Sequence, residues 1–123
     1  MQKAEELKRR TRRFALDTLR LVRRFDRTID AEIVGRQLIK AATGVAANYR
    51  AACRARSRAE FIAKIGVVAE EADESQFWLD ITVALPIVAD AESRRLLAEA
   101  SELTAIVTAS RNTAKANQQR RIT

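Results

Sequence analysis

Apolar residues recur along the chain at spacings of three and four. Leu7, Thr11, Phe14, Thr18, Leu21, Val22 and Phe25 make one such series, which predicts an amphipathic helix over residues 3–26. The string DRTID breaks it, and Asp30 is expected to cap the next start. Leu38, Ala41, Ala42, Val45, Tyr49 and Ala52 then mark the inner face of a second helix, about 31–55. Ser57-Arg58-Ala59-Glu60 has the spacing of a capping box, in which the serine hydroxyl accepts from the Glu60 amide and the glutamate reaches back to the Ser57 amide. A third helix over 58–85 follows, with Phe61, Ile65, Val68, Ala72, Ser75 and Leu79 inward and Pro86 as its stop. Asp90 can cap a fourth, about 91–116, carrying Leu96, Leu97, Ala100, Leu103, Ile106 and Val107, after which NQQRRIT is expected to fray.

Four helices of similar length with short links pack most simply as an antiparallel up-down-up-down bundle, a single all-α domain over residues 1–123. Composition agrees. Three glycines and one proline are too few for a chain of many β-turns, and 47% apolar residues are too many for a disordered one. Phe77 and Trp78 do not fit a lone bundle. With Ser75 and Leu79 inward, the two rings cannot both lie on the core stripe: either the apolar face is wide, with Trp78 at its edge, or Phe77 and Trp78 are candidates for a subunit interface.

No apolar run reaches the roughly 18 to 20 residues that a membrane span needs, and MQKAEELKRRTRR has no signal-peptide core. One cysteine allows no internal disulfide, so the expected setting is cytoplasmic, with no membrane partner.

Charge changes the picture more than composition does. The net charge is +7, with residues 1–62 holding 16 Lys+Arg against 7 Asp+Glu, and residues 63–123 holding 7 against 9. Arg9, Arg13, Arg20, Arg24 and Arg27 form one stripe, and Arg36, Lys40, Arg50 and Arg54 a second that Arg56 and Arg58 extend. Arginine's planar fork suits phosphate. Few aromatics are spare for base stacking, so binding to RNA or DNA would be directed at the backbone and salt-sensitive. One alternative is a solvated arginine-rich surface with inter-helix salt bridges; another is a protein-interaction scaffold whose charge keeps it soluble and steers a partner.

Catalytic chemistry has little support. Without histidine, no Ser-His or Cys-His pair exists, and Cys53 has no base beside it. The acids Glu70, Glu71 and Glu74, with Glu99 and Glu102 opposite, resemble the Mg²⁺ cage of all-α NTP pyrophosphatases of the MazG type, but the second pair ends in Glu where that family has Asp. No catalytic residue, metal ligand or cofactor is assigned.

ANYR (47–50), RARSRAEF (54–61) and EADE followed by WL (71–79), with LTAIVTASRNTAK (103–115), resemble the bacterial four-helix-bundle proteins. These are also called 23S rRNA intervening-sequence proteins and are related to the accessory protein of diversity-generating retroelements. The resemblance implies an antiparallel bundle, assembly as a homopentamer with basic surfaces, nucleic-acid binding in one branch, and no assigned catalytic residues. It departs at Ala51 and Cys53, where many relatives carry an acid and a base. Because EADE falls inside the family signature, the acids need no pyrophosphatase to explain them. Glu71 and Glu74 are expected to pair with arginine, or with Asn48 and Tyr49, in a structural polar cluster.

Overall fold

A computed structural model describes residues 2–88 and 90–122. Among them are four α-helices and no strand: α1 (Gln2–Val22), α2 (Ile29–Cys53), α3 (Arg58–Ala84) and α4 (Ala91–Ile122). Each helix packs on the next, and α4 returns to α1. The ion pairs Arg10–Glu99, Asp17–Arg95 and Arg24–Asp90 run in opposite chain directions, so α1 and α4 are antiparallel. None of these helices is long and apolar enough to cross a membrane.

The core follows the periodic positions. Phe14, Leu21, Leu38, Val45, Ile65, Val68, Leu79, Leu96, Leu103 and Val107 are closed to solvent or nearly so. Ser75 and Thr82, whose hydroxyls fall on this face, donate within their own helix to the carbonyls of Glu71 and Trp78, both at 2.8 Å, whereas the buried Thr18 hydroxyl has no hydrogen-bond partner among the described residues. Bonds like those of Ser75 and Thr82 let a polar residue occupy a core position without an orphaned donor.

The helix ends differ from expectation in four places. First, α1 stops at Val22 rather than near residue 26, and the amides of Arg24 and Phe25 bond three residues back, to Leu21 and Val22. That tightening folds Phe25 over Gly35, where an added Cβ would lie 3.0 Å from the Val22 side chain and 3.4 Å from the Phe25 ring. Second, Thr28, not Asp30, is the cap of α2, its hydroxyl accepting from the Ala31 amide at 3.3 Å. Asp30 sits in the first turn, where it accepts from the Thr28 hydroxyl and the Ala31 amide. Third, Ser57 accepts from the Glu60 amide at 3.0 Å, but the Glu60 carboxylate takes the amide of Arg56 rather than that of Ser57. Fourth, α4 continues to Ile122. Its last segment, NQQRR, contains no glycine or proline to stop it, and glutamine and arginine are good helix formers.

At the other end of α4, Asp90 and Ser93 cap reciprocally, the Asp90 carboxylate accepting from the Ser93 amide at 3.0 Å and the Ser93 hydroxyl from the Asp90 amide at 3.1 Å. The seams between helices differ in kind. Along α2–α3 the contact is close: a Cβ on Gly44 would fall 2.1 Å from a Glu71 carboxylate oxygen. Along α1–α4 the helices touch less, and arginine–carboxylate pairs close the gap.

Candidate nucleic-acid interface

Each helix has a charge-free stretch that can serve as a divide: residues 14–16, 41–49, 65–69 and 103–110. Antiparallel packing sets Gly44 against Glu71 and Gly66 against Arg111, so the stretches of α2, α3 and α4 lie at nearby levels, while the Asp17–Arg95 pair sets the α1 stretch nearer the start of α4. The four stretches divide the bundle into two halves of very different charge. One half holds the start of α1, the end of α2, the α2–α3 turn, the start of α3 and the end of α4. It contains 15 Lys+Arg and 3 Asp+Glu; the other contains 8 and 13. We call the first the basic end. Its four segments meet at a cavity of about 1050 Å³, lined by Leu7, Cys53, Phe61 and Thr113 among others.

The ten candidate cations divide between the halves. Arg9, Arg13, Arg50, Arg54, Arg56 and Arg58 lie in the basic end, and among the described residues none of them takes part in an ion pair. Arg20, Arg24, Arg36 and Lys40 lie in the opposite half. Two of these are engaged: Arg20 with Asp17 at 3.1 Å, and Arg24 with Asp90 across the α1–α4 seam. The Arg24 guanidinium, together with the Ser93 amide, holds the Asp90 carboxyl below its ordinary value. Thus the two stripes read along single helices do not make one surface.

Periodicity missed several contributors. Lys3, Lys64, Arg111, Lys115 and Arg121 belong to the basic end, and only the pairing of distant segments reveals it. Arg10 lies between Arg9 and Arg13, off the stripe they define. It reaches across to α4, its Nε donating to Glu99 at 2.7 Å and one terminal nitrogen to Glu99 at 2.8 Å, with Glu102 at 3.0 Å. The bond to Glu99 raises the pKa of Arg10, burial opposes it, and Glu102 adds to it. Arg95 is held likewise by Glu92 and Asp17.

The acids of the EEADE run do not converge with those of α4. Glu99 and Glu102 are committed to Arg10, while Glu71 leans toward α2 over Gly44. Among the described residues no group of three or more acids, cysteines or histidines is placed to hold a metal ion. The expected pairing of Glu71 and Glu74 is also not what the chain forms. The Asn48 amide donates to the Gly44 carbonyl of its own helix at 2.9 Å. Tyr49 is buried beside Cys53, and burial, then Cys53, pushes its hydroxyl above the ordinary range. Glu71 is half-buried and Glu74 exposed. Burial raises the Glu71 carboxyl pKa, Glu74 adds to this and Lys40 opposes it.

Phe77 is 54% exposed, with its ring edge-on to Trp78 at 4.9 Å. Trp78 is half-buried against the core, and its indole N–H is buried without a hydrogen-bond partner among the described residues. Ile29, Ile33 and Leu85 are exposed too, and these three with Phe77 lie away from the basic end, while Val67, also exposed, sits in the charge-free stretch of α3.

The model of the 23S rRNA-intervening sequence protein family matches residues 3–109. Among solved structures, one similar chain is a protein of unknown function from the S23 ribosomal protein family of Bacteroides thetaiotaomicron VPI-5482. It aligns with a TM-score of 0.75 at 22% identity, over 83% of this chain and 94% of that one. No curated protein matches.

Proposed function

The chain belongs to the 23S rRNA-intervening sequence protein family, and from that premise we propose that it is a non-catalytic bundle that binds the backbone of RNA or DNA through its basic end. The observation that carries this reading is the imbalance of 15 cations against 3 acids in one half of the bundle. Such a field attracts polyanions over several ångströms and raises their encounter rate. Ion pairing within the chain does not cancel it, because among the described residues none of the arginines of the α2–α3 turn takes part in an ion pair. Backbone contacts position a nucleic acid without reading its sequence. Affinity should therefore fall steeply with salt and depend little on base sequence.

A second element of the reading is self-association through the apolar residues of the opposite half, centred on Phe77 and Trp78. Copies joined there, five by analogy with the resemblance in sequence, keep their basic ends free and present them together. Multivalency then raises apparent affinity without any new contact. Light scattering tests this: a mass several times 13.8 kDa that falls to the monomer in Phe77→Asp supports it, and a monomeric wild type contradicts it. A scaffold for a partner protein is the competing reading, and it gains if no nucleic acid binds at low salt.

A further inference from the structure

The basic end contains one recess with a more particular chemistry. It has a volume of about 500 Å³ and is lined by Ala47, Arg50, Ala51, Arg54, Arg56, Glu60 and Lys64. Helix α2 supplies its floor and one wall. Ala47 and Ala51 lie one turn apart and leave space where larger side chains would fill it, while Arg50 and Arg54, also one turn apart, stand beside them. Lys64 stands opposite on α3, and Arg56 comes from the turn. The single acid, Glu60, is directed back into that turn, where it accepts from the Arg56 amide at 3.4 Å. Four cations therefore face a small space, and among the described residues none of them has an ion-pair partner.

Two helices and the turn between them bound this recess, which is open to solvent, so a phosphate group can reach its cations. An internal phosphodiester carries one negative charge, whereas a phosphate monoester carries about −1.5 to −2 at pH 7 and has three acceptor oxygens. Arginine forks and a lysine ammonium match that group best. We infer that the recess at the α2–α3 turn is a seat for a phosphate monoester, supplied by the 5′ end of a nucleic-acid strand or by a free mononucleotide. The strand-borne form rests on the backbone-binding reading above; the free form does not.

The test compares two RNA oligonucleotides of one sequence, with a 5′-phosphate or a 5′-hydroxyl, at low salt, and titrates adenosine 5′-monophosphate separately. The 5′-phosphorylated strand should bind about tenfold more tightly, as charge-assisted bonds to a second negative charge imply. Arg54→Gln with Lys64→Gln should erase that preference, whereas Arg9→Gln with Arg13→Gln should weaken both strands alike. Mononucleotide binding that disappears in the Arg54/Lys64 variant, with equal affinity for the two strands, assigns the recess to free nucleotide. The same result with no strand bound at all upholds the recess and defeats the backbone reading. Equal strand affinities with no mononucleotide binding overturn the recess and leave backbone binding intact.

Discussion

The two halves of this bundle share a core and differ in how their charges are disposed. In the half that contains the α1–α2 and α3–α4 connections, arginines meet acids: Arg20 and Arg95 share Asp17, Arg24 holds Asp90, and Arg95 holds Glu92. In the basic end, Glu5 pairs with Lys8 and Arg10 reaches past the midline for its acids, while Arg50, Arg54 and Arg56, around the α2–α3 turn, are exposed and, among the described residues, in no ion pair. An arginine can therefore serve the fold or remain available to a ligand, and its neighbours decide which. The net charge of +7 hides this division, because an excess at one end is partly offset by a deficit at the other.

The largest expected effect separates the ends directly. Neutralising Arg50, Arg54 and Arg56 to glutamine should weaken RNA binding at low salt about a hundredfold, if each cation contacts one phosphate. The same change at Arg20, Arg23 and Arg27 should weaken it only about threefold, through the long-range field alone. Filter binding or fluorescence anisotropy reads both, and equal losses from the two triples would erase the distinction between the ends.

Next in size is the tie across the divide. Arg10→Met keeps the length of the side chain but leaves the Glu99 carboxylate, 20% exposed, without its fork. Thermal or urea unfolding should show a loss of about 1 to 2 kcal/mol, reduced from the fully buried case by partial exposure. An unchanged midpoint would mean that the α1–α4 seam does not depend on this pair. Ser57→Ala should cost about 1 kcal/mol by removing the acceptor for the Glu60 amide. Because the cap sits at the turn and carries no charge, RNA affinity of the folded variant should not change.

The smallest effect concerns Glu71, in the acidic half. Its folded pKa lies above its ordinary value of 4.5, chiefly through burial. The folded state thus holds a proton that the unfolded state releases, so stability falls as pH rises through the window above 4.5. Glu71→Gln should remove that decline, stabilising the protein at pH 7 by less than about 1 kcal/mol and not at all near pH 4. Asp90 has the opposite sign: its lowered pKa contributes stability above its ordinary 3.8, lost as pH falls through the folded value. Unfolding curves from pH 3 to pH 8 check both.

The sequence made much of the fold legible, and for a physical reason. Core positions such as Leu38, Val45, Leu79 and Leu103 follow helical periodicity, which depends only on local spacing. Ser57 was readable as a cap for the same reason, since its partner lies three residues away. What was not legible required distant segments to be brought together. Arg10 finds Glu99 at a separation of 89 residues, so nothing near it in the chain set it apart from Arg9 and Arg13. Counting charge by halves of the sequence mixed the two ends of every helix, whereas the relevant division runs across all four. Thr28 and Asp30 show a smaller limit: both are good cap residues, and the choice between them depends on where α1 stops.

The salt dependence of RNA binding tests the central claim most directly. For the wild-type protein and the Arg50/Arg54/Arg56 variant, log affinity for a single-stranded RNA is plotted against log salt from about 50 mM upward, where each phosphate contact contributes about −0.7 to the slope. A steep slope for the wild type, shallower by about two units in the variant, is the predicted result. Identical slopes, or no binding by the wild type at the lowest salt, would contradict it.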